Sequence, residues 1–238
     1  MFYFLLEQFC NSNKDLSYMN YKTGGKDLPL SIMYKLMWIT TLNICNIYRH
    51  RKMINKDYLT LINNLIKDCT YTYKTSKMKE GLNYSKDTID KIRLYKSIYY
   101  LKLENYPGIE INEHLNTFLD EFKPFICMNY ENITHVSKLQ KSVGDILKEM
   151  NIEFELEKKT EFCSVDYFIK PNIIIEVNGP GHYVSFSNQL KTKHILTRRV
   201  LKLIGYNCID IYYKDMVDVS FVKTYIENEL KLIKNKKF

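Results

Sequence analysis

Glycine and proline are scarce in this chain, with 8 and 5 among 238 residues. So few turn-formers argue against long flexible linkers. No run of residues is apolar enough, for long enough, to span a bilayer. The apolar stretch at residues 1–6 is too short for a secretory signal core and has no basic flank. It is also poor as an organelle presequence, having no arginine and being followed by Glu7, although a targeting signal can be internal. The six cysteines are Cys10, Cys45, Cys69, Cys127, Cys163 and Cys208; they form no CxxC pair, and none stands at zinc-ligand spacing to a histidine. Scattered among apolar residues, they read as buried free thiols of a reducing compartment.

What is present is ordinary for a folded protein: 45% hydrophobic and 26% charged residues, on a chain long enough for one large domain or two small ones. The net charge of +8 fits a polyanionic partner, either nucleic acid or an anionic membrane surface. Residues 1–136 and 137–238 each carry a basic excess of four, so no single tail dominates, although residues 231–237 are locally basic. Lysine, asparagine, isoleucine and tyrosine are over-used along the whole length. That pattern matches codon bias in an AT-rich genome and lowers the weight of any individual lysine.

Two regions differ in pattern. Residues 1–132 read as helical. Residues 31–48 are nearly continuously apolar and contain the single tryptophan, Trp38. Tyr58, Ile62, Leu65, Ile66 and Cys69 recur at helical spacing, as do Ile111, Leu115, Phe118 and Phe122. Residues 89–101 predict a further helix, and residues 22–26 and 71–86 read as connections. Helix pairs, either plain or as degenerate repeats, are the expected arrangement.

Residues 133–238 read as an α/β domain. Val136, Leu139, Val143, Ile146, Leu147 and Met150 make one helical stripe. Strands are predicted at 152–157, 162–169 and 173–178, with Lys170, Pro171 and Asn172 turning the last two into a hairpin. A basic helix over about 190–204 should end at Gly205. A fourth strand over 207–212 and a helix marked by Val222, Ile226, Leu230 and Ile233 complete the order.

The chemistry-bearing residues cluster around residues 166–202. Asp166 lies in a largely apolar strand, and Glu176 follows three isoleucines. A carboxylate there is costly without a partner or a metal. If the hairpin pairs in register, Asp166 lies beside Glu176. The two could then hold Mg²⁺ and activate water at a phosphate, or they could pair with nearby Lys or Arg. Asn178 shares the Glu176 face. Gly179, Pro180 and Gly181 force a sharp turn where a backbone could approach a ligand, with His182 and Tyr183 at its mouth. On the following helix, Lys191, His194, Arg198 and Lys202 fall on one narrow face, opposite Leu196, Val200, Leu203 and Ile204. Such a ridge can track a phosphate backbone, or simply be a solvated face.

The stretch Phe162-Cys-Ser-Val-Asp166-Tyr-Phe-Ile, followed by Ile173-Ile-Ile-Glu176-Val-Asn-Gly-Pro-Gly-His182-Tyr183, resembles the RAP domain, an RNA-binding domain abundant in apicomplexans. The basic segment 193–199, with Leu201, Gly205, Tyr206 and the strand running to Tyr213, extends the resemblance over roughly 137–216. That family is similar in fold to the restriction-endonuclease-like PD-(D/E)xK proteins, which implies an α-β-β-β-α-β core behind a helical region. In that comparison Asp166 and Glu176 match the nuclease carboxylates and Asn178 stands at the lysine position. An amide there cannot supply the cation that stabilises charge developing at phosphate, and a basic residue of the following helix, Lys191 or Lys193, could substitute only if the geometry permits.

The resemblance implies RNA binding through His182, Tyr183, Lys191, Lys193, His194, Arg198, Arg199 and Lys202. It also implies a role in organellar RNA metabolism, in the mitochondrion first, with the apicoplast or cytoplasm as alternatives. The partners it implies are ribosomal or messenger RNA and ribosomal or RNA-processing proteins. No cofactor is expected for such a protein. A Mg²⁺-dependent ribonuclease using Asp166, Glu176 and Asn178 is one alternative, and a structural subunit of an organellar ribosome is another.

Overall fold

The structure is a computed structural model, and it describes residues 37–38, 40–42, 44–45, 56, 59–60, 62–67, 88–128, 136–185 and 187–235. The predicted connections at 22–26 and 71–86, the opening apolar run, Tyr58, Cys10, Cys69 and residues 236–238 lie outside these. The described residues between 37 and 45 and between 62 and 67 are helical, as their periodicity predicts. Helix α1 (Thr88–Glu104) and helix α2 (Glu113–Met128) pack against each other. Tyr95, Ile98 and Leu101 of α1 and Leu115, Phe118 and Phe122 of α2 are buried. No described helix is long and apolar enough to cross a membrane.

Helix α3 (Lys138–Glu149) opens the α/β part. Ser137 caps it by accepting from the Gln140 backbone N–H, and the Gln140 side chain accepts in turn from the Ser137 N–H, a reciprocal capping box. The helix ends where Asn151 takes a left-handed conformation and the Ile152 N–H donates to Leu147 O. Gly144 is required by close approach: a Cβ there would lie 2.8 Å from the Tyr167 hydroxyl.

Strands β1 (Glu155–Lys159), β2 (Ser164–Ile169), β3 (Ile173–Asn178) and β4 (Asn207–Tyr212) form one sheet in the order β1-β2-β3-β4. The first three are antiparallel, and β4 joins β3 in parallel through helix α4 (Thr192–Leu203). Gly205, at φ +96°, ends α4 in the left-handed conformation expected of it. Helix α5 (Val219–Asn235) follows. The core order is therefore α-β-β-β-α-β, as the resemblance implies.

Strand β1 is shifted from the expected 152–157 to 155–159, and β2 starts later than expected. β1 starts at Glu155 rather than at residue 152, because Ile152 and Phe154 pack beneath α3 as the chain leaves its cap. β2 starts at Ser164, because Thr160, through its hydroxyl, accepts from the Phe162 and Cys163 N–H groups and holds a tight turn there.

The sheet separates two apolar layers by the period-2 alternation of its strands. Ile173, Ile175 and Val177 of β3 and Ile209 and Ile211 of β4 pack against Val143 and Leu147 of α3 and Val222 and Ile226 of α5. On the other face, Phe168 and Ile174 meet Leu196, Val200 and Leu201 of α4, and this layer runs on into the N-terminal helices. Leu203, expected on the buried face of α4, is 43% exposed, and Leu201 is buried instead. Two polar contacts fasten the helices to the sheet domain. Glu104 of α1 receives a two-pronged ion pair from Arg199, and Glu161 accepts from Tyr99 at 2.8 Å and Lys123 at 2.6 Å.

Candidate nucleic-acid interface

The face of the sheet that packs on α4 turns polar toward the C-terminal ends of β3 and β4. Pairing Tyr167 with Ile175 places Asp166 opposite Glu176, as the hairpin predicts. The parallel register then sets Glu176 beside Asp210, a residue that no sequence pattern singles out. Glu157, which takes a left-handed conformation between the β1 pairings to Tyr167 and Val165, lies opposite Asp166 on its other side. Four carboxyl groups, one per strand, thus form a row across the sheet.

The row is hydrogen-bonded along its length and ion-paired at one end. The Gln140 Nε2 donates to both Glu157 Oε1, at 3.1 Å, and Asp166 Oδ1. Asp166 Oδ2 accepts from the Val177 N–H at 2.7 Å. Asp210 accepts from Asn178 Nδ2 at 3.2 Å and pairs with Arg198 Nη1 at 2.8 Å. Glu176 Oε1 is buried and has no hydrogen-bond partner among the described residues. Burial, then the negative charge of Asp166, Asp210 and Glu157, pushes the Glu176 carboxyl well above the usual carboxylate range. Burial also raises Asp166, against the opposing Val177 hydrogen bond, and raises Asp210, against the pull of Arg198.

The oxygens of the row are unevenly committed. Both oxygens of Asp166 and Oδ1 of Asp210 accept hydrogen bonds, whereas Asp210 Oδ2 has the Arg198 ion pair without a hydrogen bond and Glu176 Oε1 has no hydrogen-bond partner. No group of three His, Cys, Asp or Glu among the described residues is arranged to hold a metal. Asn178 does not reach outward as a lysine would; it is buried between Asp210 and His182, whose Nδ1–H donates to Asn178 Oδ1 at 3.2 Å. Among the described residues, the cation that touches the row is Arg198, not Lys191 or Lys193.

His182 and His194 stack face to face with ring centroids 4.1 Å apart. Burial, then the charge of His182, Lys193 and Lys191, lowers His194 to about 4; burial and the two lysines lower His182 as well. Both rings are therefore held neutral at the mouth of the row. Gly179, Pro180 and Gly181 shape the single turn Pro180–His182, and the Lys191 ammonium donates to Gly181 O at 2.9 Å.

Beside the row lies an open trough. A cleft of about 780 Å³ is bounded by Arg198, Arg199 and Lys202 of α4 on one side and by Tyr183, Tyr212 and Lys214 on the other. A second depression of about 470 Å³ shares Tyr183, Asn188 and Lys214 with it and continues over Gly181, Lys191 and Tyr213. The sheet builds this wall: the Tyr213 N–H donates to Asn178 O as β4 ends, which brings Tyr213 to 5.6 Å from the Tyr183 ring, with Tyr212 at 6.1 Å. Lys214 bonds Asn188 and lies over the Tyr213 ring.

The structure thus gathers most of the expected RNA-contact residues around one region. His182 and His194 are stacked, Tyr183 and Lys202 line the cleft, Lys191 flanks the turn and Lys193 is exposed. Arg198 and Arg199 also reach the cleft, but each is held in an ion pair, with Asp210 and Glu104 respectively. Sequence reasoning misses Asp210, Gln140, Tyr212, Tyr213 and Lys214.

Residues 175–232 match the family model of the RAP domain. The RAP-matching segment carries Glu176, Asn178, the whole of α4 and every residue of the trough except Cys45. A RAP domain points to RNA binding. Among solved structures, the catalytic domain of the homing endonuclease I-Bth0305I is similar at 25% identity and a TM-score of 0.32, over 39% of this chain and 93% of that one. No curated protein matches the chain.

Proposed function

We propose that this chain is a non-catalytic RNA-binding protein of organellar RNA metabolism, acting in the mitochondrion on the processing or stability of ribosomal or messenger RNA. The observation that carries the RNA-binding reading is the coincidence of the RAP match with a trough of lysines, arginines and tyrosines. Cations that follow a backbone bind phosphates without reading sequence, and tyrosine faces accept bases. The organellar role rests on the family resemblance, and the even basic excess of the chain is compatible with it.

The nuclease reading is weaker. Its two carboxylates do meet, but Asp166 is spent on Gln140 and Val177, burial and neighbouring carboxyls favour the protonated form of Glu176, and the lysine position holds a buried amide. The test is binding of the full chain to RNA in EDTA across a salt series, together with in-cell crosslinking and sequencing of bound RNA from tagged protein. Metal-free binding that weakens steeply with salt, and crosslinks enriched in organellar transcripts, are expected. Crosslinks confined to cytosolic RNA would overturn the organellar role and leave the binding reading standing.

A further inference from the structure

We infer that the two joined depressions form a binding track for unpaired nucleotides, so that the RNA recognised is single-stranded. This rests on the RNA-binding reading above. The track has two chemically different halves on either side of a shared rib made by Tyr183, Asn188 and Lys214. The larger half adds Tyr212 and the aliphatic side chains of Leu190, Ile195 and Leu203 to its cations. The smaller half is polar, with Ser185, Ser187, Lys191 and the Gly181 turn. A Cβ at Gly181 would meet only open space, so the backbone of the turn is accessible.

An unpaired nucleotide has the same division. Its base offers flat apolar faces, and its sugar and phosphate offer hydroxyls and charge. A cleft of about 780 Å³ falls within the range that encloses a drug-sized ligand, roughly 300–1,000 Å³. The Tyr213 and Tyr212 rings are already set at 5.6 and 6.1 Å from the Tyr183 ring and all three are partly exposed, so little side-chain ordering is needed when a base arrives. A duplex hides its base faces in its own stack and can offer the lysines only phosphates. The cations alone would accept both forms; the rings reward the unpaired one.

The test compares one short labelled RNA, free of self-pairing, with the same RNA annealed to its complement, by fluorescence anisotropy on the full chain. The single strand should bind more tightly. Tyr183→Leu with Tyr213→Leu should weaken single-strand binding by roughly five- to a hundredfold, the range expected when a base can no longer stack. The duplex should be little affected, and Tyr183→Phe with Tyr213→Phe should restore single-strand affinity.

In the wild-type chain, ultraviolet crosslinks mapped by mass spectrometry should fall on Tyr183, Tyr212 or Tyr213. This second readout is independent of whether the leucine variants fold. Equal binding of both RNA forms, or crosslinks lying wholly outside the trough, would overturn the inference and leave RNA binding intact. Absence of binding to either form would overturn the RNA-binding reading and this inference with it.

Discussion

Two polar regions adjoin on one face of the sheet, and they are built in opposite ways. In the carboxyl row Asp210 is buried and Glu157, Asp166 and Glu176 are half-buried, with hydrogen bonds running to Gln140, Val177 and Asn178 and an ion pair to Arg198. The trough beside it is open, cationic and aromatic, with Lys202 and Lys214 exposed to solvent. A buried polar network fixes geometry, whereas an open cationic surface is available to a partner. On the reading proposed above, the first region is structural and the second binds RNA, although only the first carries the residues that a nuclease would need.

Arg198 belongs to both regions, so it offers the largest effect. Arg198→Ala leaves Asp210 buried without its cation and should cost about 2–4 kcal/mol of stability, read by chemical denaturation; the half-exposed arginine keeps this below the full buried-pair value. Adding Asp210→Asn should recover most of that stability. If Arg198→Ala is neutral for stability and only lowers RNA affinity, the division between the regions fails.

The second prediction concerns the trough alone. Lys191→Ala with Lys202→Ala should weaken RNA binding by about tenfold for each phosphate that is no longer neutralised, with an unchanged unfolding midpoint. The salt dependence of binding should become shallower by about 0.7 per such phosphate on a single strand. Unchanged affinity would remove the basic face of α4 from the interface.

The third concerns the row alone. Glu176 has a raised folded value, so the folded chain holds its proton longer than the unfolded chain does. Its burial therefore costs stability as pH rises above the ordinary carboxylate range, and the cost vanishes in acid. Glu176→Gln should raise stability at alkaline pH by about 1–3 kcal/mol, leave it unchanged in acid, and leave RNA affinity untouched. A drop in affinity in this variant would join the row to the binding surface.

The smallest effect belongs to the histidine stack. His194 titrates at about 4 in the folded chain against an ordinary 6.5, so the folded chain binds fewer protons across that window. Its contribution is present above the window and is lost as pH falls through it, opposite in sign to the buried carboxyls. His194→Phe should therefore lose less stability than the wild type between pH 7 and pH 5. The difference should be on the order of 1 kcal/mol or less, given the partial exposure of the ring.

Local patterns carried much of this in the sequence, and non-local pairings did not. The spans of β3 and β4, the Gly205 stop and the Asp166–Glu176 adjacency follow from strand runs, one glycine and a hairpin turn, all within a few residues. Asp210 joins the row through a parallel pairing across α4, and no short-range signal sets that register. Arg199 reads as one more phosphate ligand because Glu104 lies 95 residues away. Gln140 is hidden by its helix-capping position, which leaves its amide nitrogen free to reach the row. Tyr212 and Tyr213 read as strand residues. Only the end of β4 against β3 turns them into a wall beside Tyr183.

If the proposed reading holds, the trough binds RNA and the row does no metal chemistry. Incubating the full chain with a short labelled RNA in EDTA and then in Mg²⁺, and following anisotropy and strand length together, tests both halves at once. The account predicts equal, salt-sensitive binding in the two buffers with the RNA intact. Binding that requires Mg²⁺, or cleavage in Mg²⁺ that Glu176→Gln abolishes, would contradict it.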